Sequence, residues 1–216
     1  MDQLRCRVKA AAVANLTDAR YFAALGVDYL GFALEPSSTG YLGEAAVAAV
    51  REWVEGPQFV GECGGMPTPE IVRLAESLSL HAVQVGPFGK TTEVARATGL
   101  PVLQLIPMGN DFDPAAAQVV LERNAADVQF FVLDLAAEGL SWPELSARPG
   151  WKDWLAASCA NFPVLLDIPV PPESLLDMLI ALELQGLQVR GGEEEAVGVK
   201  SYEELDDLFD VLRVEE

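Results

Sequence analysis

The sequence predicts an α/β fold, a single-domain (β/α)8 TIM barrel spanning residues 1–216. Three observations carry this expectation. Short β-rich runs alternate with helical stretches eight times. Runs such as FFVL and PVLL are apolar on nearly every residue, as parallel strands covered on both faces must be. Eight such units fit into 216 residues without the glycine-rich first turn of an open doubly wound sheet.

In order, the strand-like runs are RVKAAAV, DYLGFAL, QFVGEC, HAVQVG, PVLQLIP, VQFFVLDL, FPVLLDI and LQVRG. The helical periodicity that follows them covers roughly 16–25, 43–55, 68–78, 90–98, 113–125, 150–159, 172–184 and 201–212. Asn15 or Thr17 can cap the first helix, and Thr68-Pro69-Glu70 and Pro171-Pro172-Glu173 place proline and an acid in a first turn. Gly26, Gly99 and Gly186 fall where helices are expected to stop. The last segment carries apolar residues at 202, 205, 208, 209 and 212, the spacing of a helix docked on a barrel wall.

Composition narrows the partners. With 33 acidic against 14 basic residues, the net charge of −19 repels nucleic-acid phosphates and anionic lipid heads, so no nucleic acid and no membrane is expected as partner. Only four of the basic residues are lysines, which suits either a high-salt cytoplasm or ordinary solvated acidic helix faces. No apolar run reaches the length of a membrane span, and MDQLRCRVK lacks the apolar core of a signal peptide, so a cytoplasmic location is expected. Cys6, Cys63 and Cys159 show no CxxC spacing, and reduced thiols without a zinc site are expected. With His81 as the sole histidine, Ser-His-Asp and Cys-His triads are excluded, and its place at the start of the fourth strand makes it structural.

Barrel sites are built at the C-terminal strand ends. There the sequence places Lys9 to Ala12, Glu35 with the loop to Tyr41, Glu62, Cys63, Gln84, Gln104, Asp134, Asp167 and Arg190 to Glu195. Lys9, Glu62, Asp134, Asp167 and Arg190 are charged residues within otherwise apolar strands and need partners if buried. They form either a compensated ion network or a site in which Glu62, Asp134 and Asp167 hold a polar ligand or divalent cation. Trp142 and Trp151 are candidates for covering the mouth.

Lys9-Ala10-Ala11-Ala12-Val13-Ala14-Asn15-Leu16-Thr17-Asp18-Ala19 follows the frame K-I-C-G-L-T-N-x-x-D-A. GVDYLGFALEPSSTGYLGEAA, PTPEIVRLAESLSLHAVQVG and LQVRGGEEEAVGVKS follow three further motifs of the same family. The sequence thus resembles the phosphoribosylanthranilate isomerases of tryptophan biosynthesis over nearly the whole chain. The resemblance implies an Amadori aldose–ketose isomerisation, with a cysteine at the end of strand one as general base and an aspartate at the end of strand six as general acid. No cofactor and no metal are expected.

The base position matches Ala11, whose methyl group accepts no proton, while Asp134 matches the acid. The substrate arginine of the family's S-P-R-Y loop aligns with Gly40. The glycine turn after strand seven has become DIPVPPE, whose prolines offer no amide hydrogen. Lys9, Gln84, Arg190, Gly191 and Gly192 remain candidate substrate-binding residues, faced by Glu193, Glu194 and Glu195. Cys63, at the end of strand three, is a candidate substitute base or else a small filler residue. The expectation is a divergent isomerase-like barrel, a pseudoenzyme or one with altered chemistry, binding a small phosphorylated or polar metabolite as a monomer or homodimer. The alternative is a retained isomerase using Asp134 and another base.

Overall fold

The computed structural model describes residues 3–109, 113–191, 194–196, 199–200 and 202–214, with backbone alone at 194–196 and 199–200. Eight parallel strands close into a barrel: β1 (Arg7–Ala11), β2 (Tyr29–Ala33), β3 (Gln58–Gly64), β4 (Ala82–Val85), β5 (Val102–Pro107), β6 (Phe130–Asp134), β7 (Val164–Asp167) and β8 (Gly186–Arg190). Closure is made by β1 against β8, with Lys9 opposite Gln188 and Ala11 opposite Arg190.

Alternation along each strand divides its side chains between two cores. Val8, Ala10, Phe32, Phe59, Phe131 and Leu166 face outward into the main core beneath the helices. Tyr29, Val60, Ala82, Leu103, Phe130, Val132 and Leu165 face inward and plug the barrel. The inward residues above this plug form the floor of the mouth.

The helical layer consists of α1 (Leu16–Ala24), α2 (Glu44–Arg51), α3 (Thr68–Ser77), α4 (Thr91–Thr98), α5 (Pro114–Asn124), α6 (Trp142–Ser146), α7 (Trp151–Asn161), α8 (Pro172–Leu182) and α9 (Glu203–Leu212). Asn15, rather than Thr17, caps α1, accepting from the Asp18 amide at 2.9 Å. The short α6 is additional to the expected helices; Glu144 accepts from the Ser141 amide and hydroxyl at 3.0 and 2.6 Å.

Gly186 does not stop a helix. It opens β8, where an added Cβ would lie 2.7 Å from the Arg7 carbonyl oxygen, so close strand approach explains it. The end of α8 falls instead on Glu183, in the left-handed region at φ 47°. After β8 a small antiparallel hairpin, β9 (Glu194–Ala196) and β10 (Val199–Lys200), precedes α9. Tyr202 and Tyr21 stack at 4.0 Å between ring centres, with the Tyr202 hydroxyl on Asp18 and the Tyr21 hydroxyl on Asp206, docking α9 against α1. No helix among the described residues is long and apolar enough to cross a membrane.

Candidate active site

The charged residues expected at the mouth converge. Lys9 of β1 is fully buried and pairs with Glu62 of β3 across Gly31 of β2. Gly31 leaves room for this pair, because a Cβ there would meet the Glu62 carboxylate and the Lys9 ammonium as they stand. The ammonium also donates to Gln188 Oε1 at 2.7 Å, and the Gln188 amide donates to Asp167 Oδ2 at 2.6 Å. One Arg190 nitrogen then bridges Asp167 at 2.7 Å and Asp134 at 3.3 Å, and Asp134 Oδ1 accepts from the Ala137 amide at 3.0 Å.

The result is a ladder of charge-assisted hydrogen bonds running from β3 through β1, β8 and β7 to β6. Each carboxylate of the ladder has a cation beside it, and among the described residues no His, Cys, Asp or Glu group of three or more is arranged to hold a metal ion. Lys9 and Arg190 are the cations that Glu62, Asp134 and Asp167 meet in the structure. Burial pushes the Asp167 carboxyl up from its ordinary range; Arg190 opposes this, and Asp134 adds to it.

At the end of β1, Ala11 faces into the mouth beside Arg190, since alternation gives it the same face as Lys9. Ala12, at the glycine position of the K-I-C-G frame, adopts φ 49°, and its amide donates to Glu62 Oε2 at 3.1 Å. Both Glu62 oxygens are thus engaged next to the position where a base is wanted. Gly40 reaches the same place from the loop after β2; its φ is +76°, and an added Cβ would lie 3.4 Å from the Ala12 Cβ.

Cys63 does not reach the mouth. It points outward into the main core, fully buried, with its thiol on the Gly61 carbonyl, and burial pushes its pKa up to about 12. Adjacent residues of a strand face opposite ways, and Glu62 takes the inward direction. Gln104 likewise points outward, accepting from Asn124 at 2.8 Å. Gln84 faces inward, and its Oε1 is buried without a hydrogen-bond partner among the described residues.

Trp142 is buried in the main core, its amide donating to Pro169 O at 2.9 Å, and Trp151 is partly buried against that core. His81 lies at the opposite end, where Nδ1 accepts from the Phe59 amide at 2.9 Å. Gly191 follows β8 at the rim; Gly192 and Glu193, and the side chains of Glu194 and Glu195, lie outside the described residues.

No protein-family model matches the sequence. An N-(5'-phosphoribosyl)anthranilate isomerase of Chlorobium luteolum is 25% identical over 216 residues, covering 96% of this chain and 97% of that protein. The crystal structure of phosphoribosyl anthranilate isomerase from Thermus thermophilus superposes with a TM-score of 0.73 at 30% identity, covering 95% of this chain and 98% of that one. The chain belongs to the phosphoribosylanthranilate isomerase family. A structure of the same enzyme from Thermotoga maritima has a TM-score of 0.74 at 19% identity, and shares the fold. Within the family frame, sequence reasoning found every member of the charged ladder except Gln188. Its signal was available, since a glutamine amide within a buried strand needs partners as a charge does.

Proposed function

We propose that this chain is a divergent family member that does not catalyse phosphoribosylanthranilate isomerisation, and that its barrel binds a small polar metabolite. The observation that carries the reading is the end of β1. Ala11 presents a methyl group to the mouth, and Glu62, the carboxylate that accepts from the adjacent Ala12 amide, is also held by Lys9. Abstraction of a substrate proton needs an acceptor within hydrogen-bond reach, and a carboxylate locked by an ammonium and an amide is a poor one.

Electrostatics supports the same conclusion. The ladder sets three carboxylates against two cations, and Gly40 adds no positive charge. An anion carrying both carboxylate and phosphate therefore enters an unfavourable field. A neutral polar ligand meets the partly exposed guanidinium of Arg190 and the unpaired carbonyl of Gln84. In this reading Lys9 positions Glu62 and Gln188, while Arg190, Gln84 and the Gly191 backbone contact ligand.

A retained isomerase is the second reading. It is favoured by the names of the relatives and by Asp134 standing at the mouth with Arg190 against it. Complementation of a tryptophan auxotroph lacking the enzyme separates the two. We expect no growth despite soluble expression; growth that is abolished by Asp134→Asn would establish the retained isomerase instead.

A further inference from the structure

On the β3–β5 side of the mouth lies a cavity of about 650 Å³, and none of the charged ladder's side chains lines it. Its walls are apolar, with Met66, Ile71, Val85, Val94 and Leu105 contributing. At its rim the loop after β4 turns tightly, with the Gly89 amide on Gly86 O at 3.0 Å, and holds the Phe88 ring 97% exposed. A phenyl group held in water at the rim of an apolar cavity is placed to cover a ligand bound there, which would remove the ring's apolar surface from water.

Three charged residues line it: Glu35, Lys90 and Glu93. Lys90 and Glu93 pair at 2.9 Å, and the Thr68 hydroxyl donates to the other Glu93 oxygen at 2.5 Å. Those two charges cancel. Among the described residues Glu35 has no cationic partner, and its carboxylate accepts one long bond, from the Gly65 amide at 3.4 Å. Gly64, at φ +52°, is the residue that admits it, because a Cβ there would run into that carboxylate. The cavity therefore carries one negative charge, on Glu35, that no cation of its lining offsets, beside its apolar walls.

We propose that this cavity binds a small organic cation, a primary amine on an aromatic or aliphatic frame, with the ammonium on Glu35 and Phe88 folding over the frame. Volumes of about 300–1,000 Å³ are typical of small-molecule pockets, and a cation desolvated against a carboxylate and an aromatic face gains from both. A divalent metal needs more oxygen ligands than Glu35 supplies, and among the described residues an anion meets no unpaired cation in this lining. The inference concerns binding and stands whether or not the barrel isomerises anything.

The test is calorimetric titration of the whole chain with 3-phenylpropylamine, 3-phenylpropanol and 3-phenylpropionate, matched in carbon frame and different in charge. The amine should bind at least tenfold more tightly than the alcohol, and the carboxylate more weakly still. Glu35→Gln should reduce amine affinity about tenfold without changing that of the alcohol, and Phe88→Ala should weaken both. Equal or tighter binding of the carboxylate, amine binding indifferent to Glu35→Gln, or no binding of the amine would each overturn the proposal. The ligand series in the unaltered protein decides the matter even if a variant folds poorly.

Discussion

Replacing Lys9 by methionine tests whether the ladder is an energetic unit. The ammonium is fully buried and satisfies both a Glu62 oxygen and Gln188 Oε1. Methionine fills much of the volume but leaves a largely buried carboxylate without its cation. Breaking such a pair from one side costs about 3–5 kcal/mol, and the orphaned glutamine oxygen adds to this. In a domain of this size about 1 kcal/mol moves the melting temperature by roughly 2–4 °C, so Lys9→Met should melt about 6–20 °C lower. Adding Glu62→Gln removes the stranded charge and should recover about 2 kcal/mol, a coupling that a double-mutant cycle in urea measures directly. A loss below about 1 kcal/mol for Lys9→Met, or strict additivity with Glu62→Gln, would refute the network as a coupled structure.

The raised pKa of Asp167 gives a second prediction, in stability against pH. A carboxyl whose folded pKa exceeds its unfolded value binds its proton more tightly when folded. Its stabilising contribution is complete below the unfolded pKa and is lost as pH rises through the folded one. Asp167→Asn should therefore gain stability relative to the unaltered protein as pH rises through that window, with the difference flat below it; melting curves across pH give the slope, and an opposite slope would contradict the assignment. Cys63 and Cys159 are buried with thiols pushed up to about 12, so a thiol-reactive disulfide dye should label neither in the folded protein and all three cysteines after unfolding. Ala12 lies in the left-handed region, so Ala12→Gly should stabilise by up to about 1 kcal/mol. Gly40→Arg should destabilise by about 1–2 kcal/mol, because φ +76° is costly for any side chain; both effects are readable by chemical denaturation.

The strands were legible because burial on both faces writes them as apolar runs, and the β1 frame was legible because Lys9, Asn15 and Asp18 keep their spacing around the alanines. Which way each strand residue points was not. Glu62 and Cys63 are neighbours at a strand end, and only closure of the barrel, with β3 registered on β2 and β4, turns the carboxylate inward and the thiol outward. Convergence of the five charges required that register as well. The α6 helix carried a readable signal in Ser141 and Glu144, a capping pair three residues apart, and the proline after Trp142 suits a first turn. Gly186 shows the converse: a glycine after a helical run looks like a stop, yet here it serves a close strand contact. The cavity beside Glu35 depends on how the loops after β3 and β4 lean together, a long-range property that local sequence does not encode.

The most direct test of the central claim is turnover of freshly generated phosphoribosylanthranilate by the purified chain, followed by fluorescence loss, with Ala11→Cys measured beside it. Gly40→Arg is left out because its backbone strain would confound the comparison. The account predicts no turnover above the protein-free rate for the natural chain, since Ala11 offers no base and Glu62 is engaged. Clear turnover by the natural chain, lost on Asp134→Asn, would contradict it and show that the reaction runs from another base at this mouth.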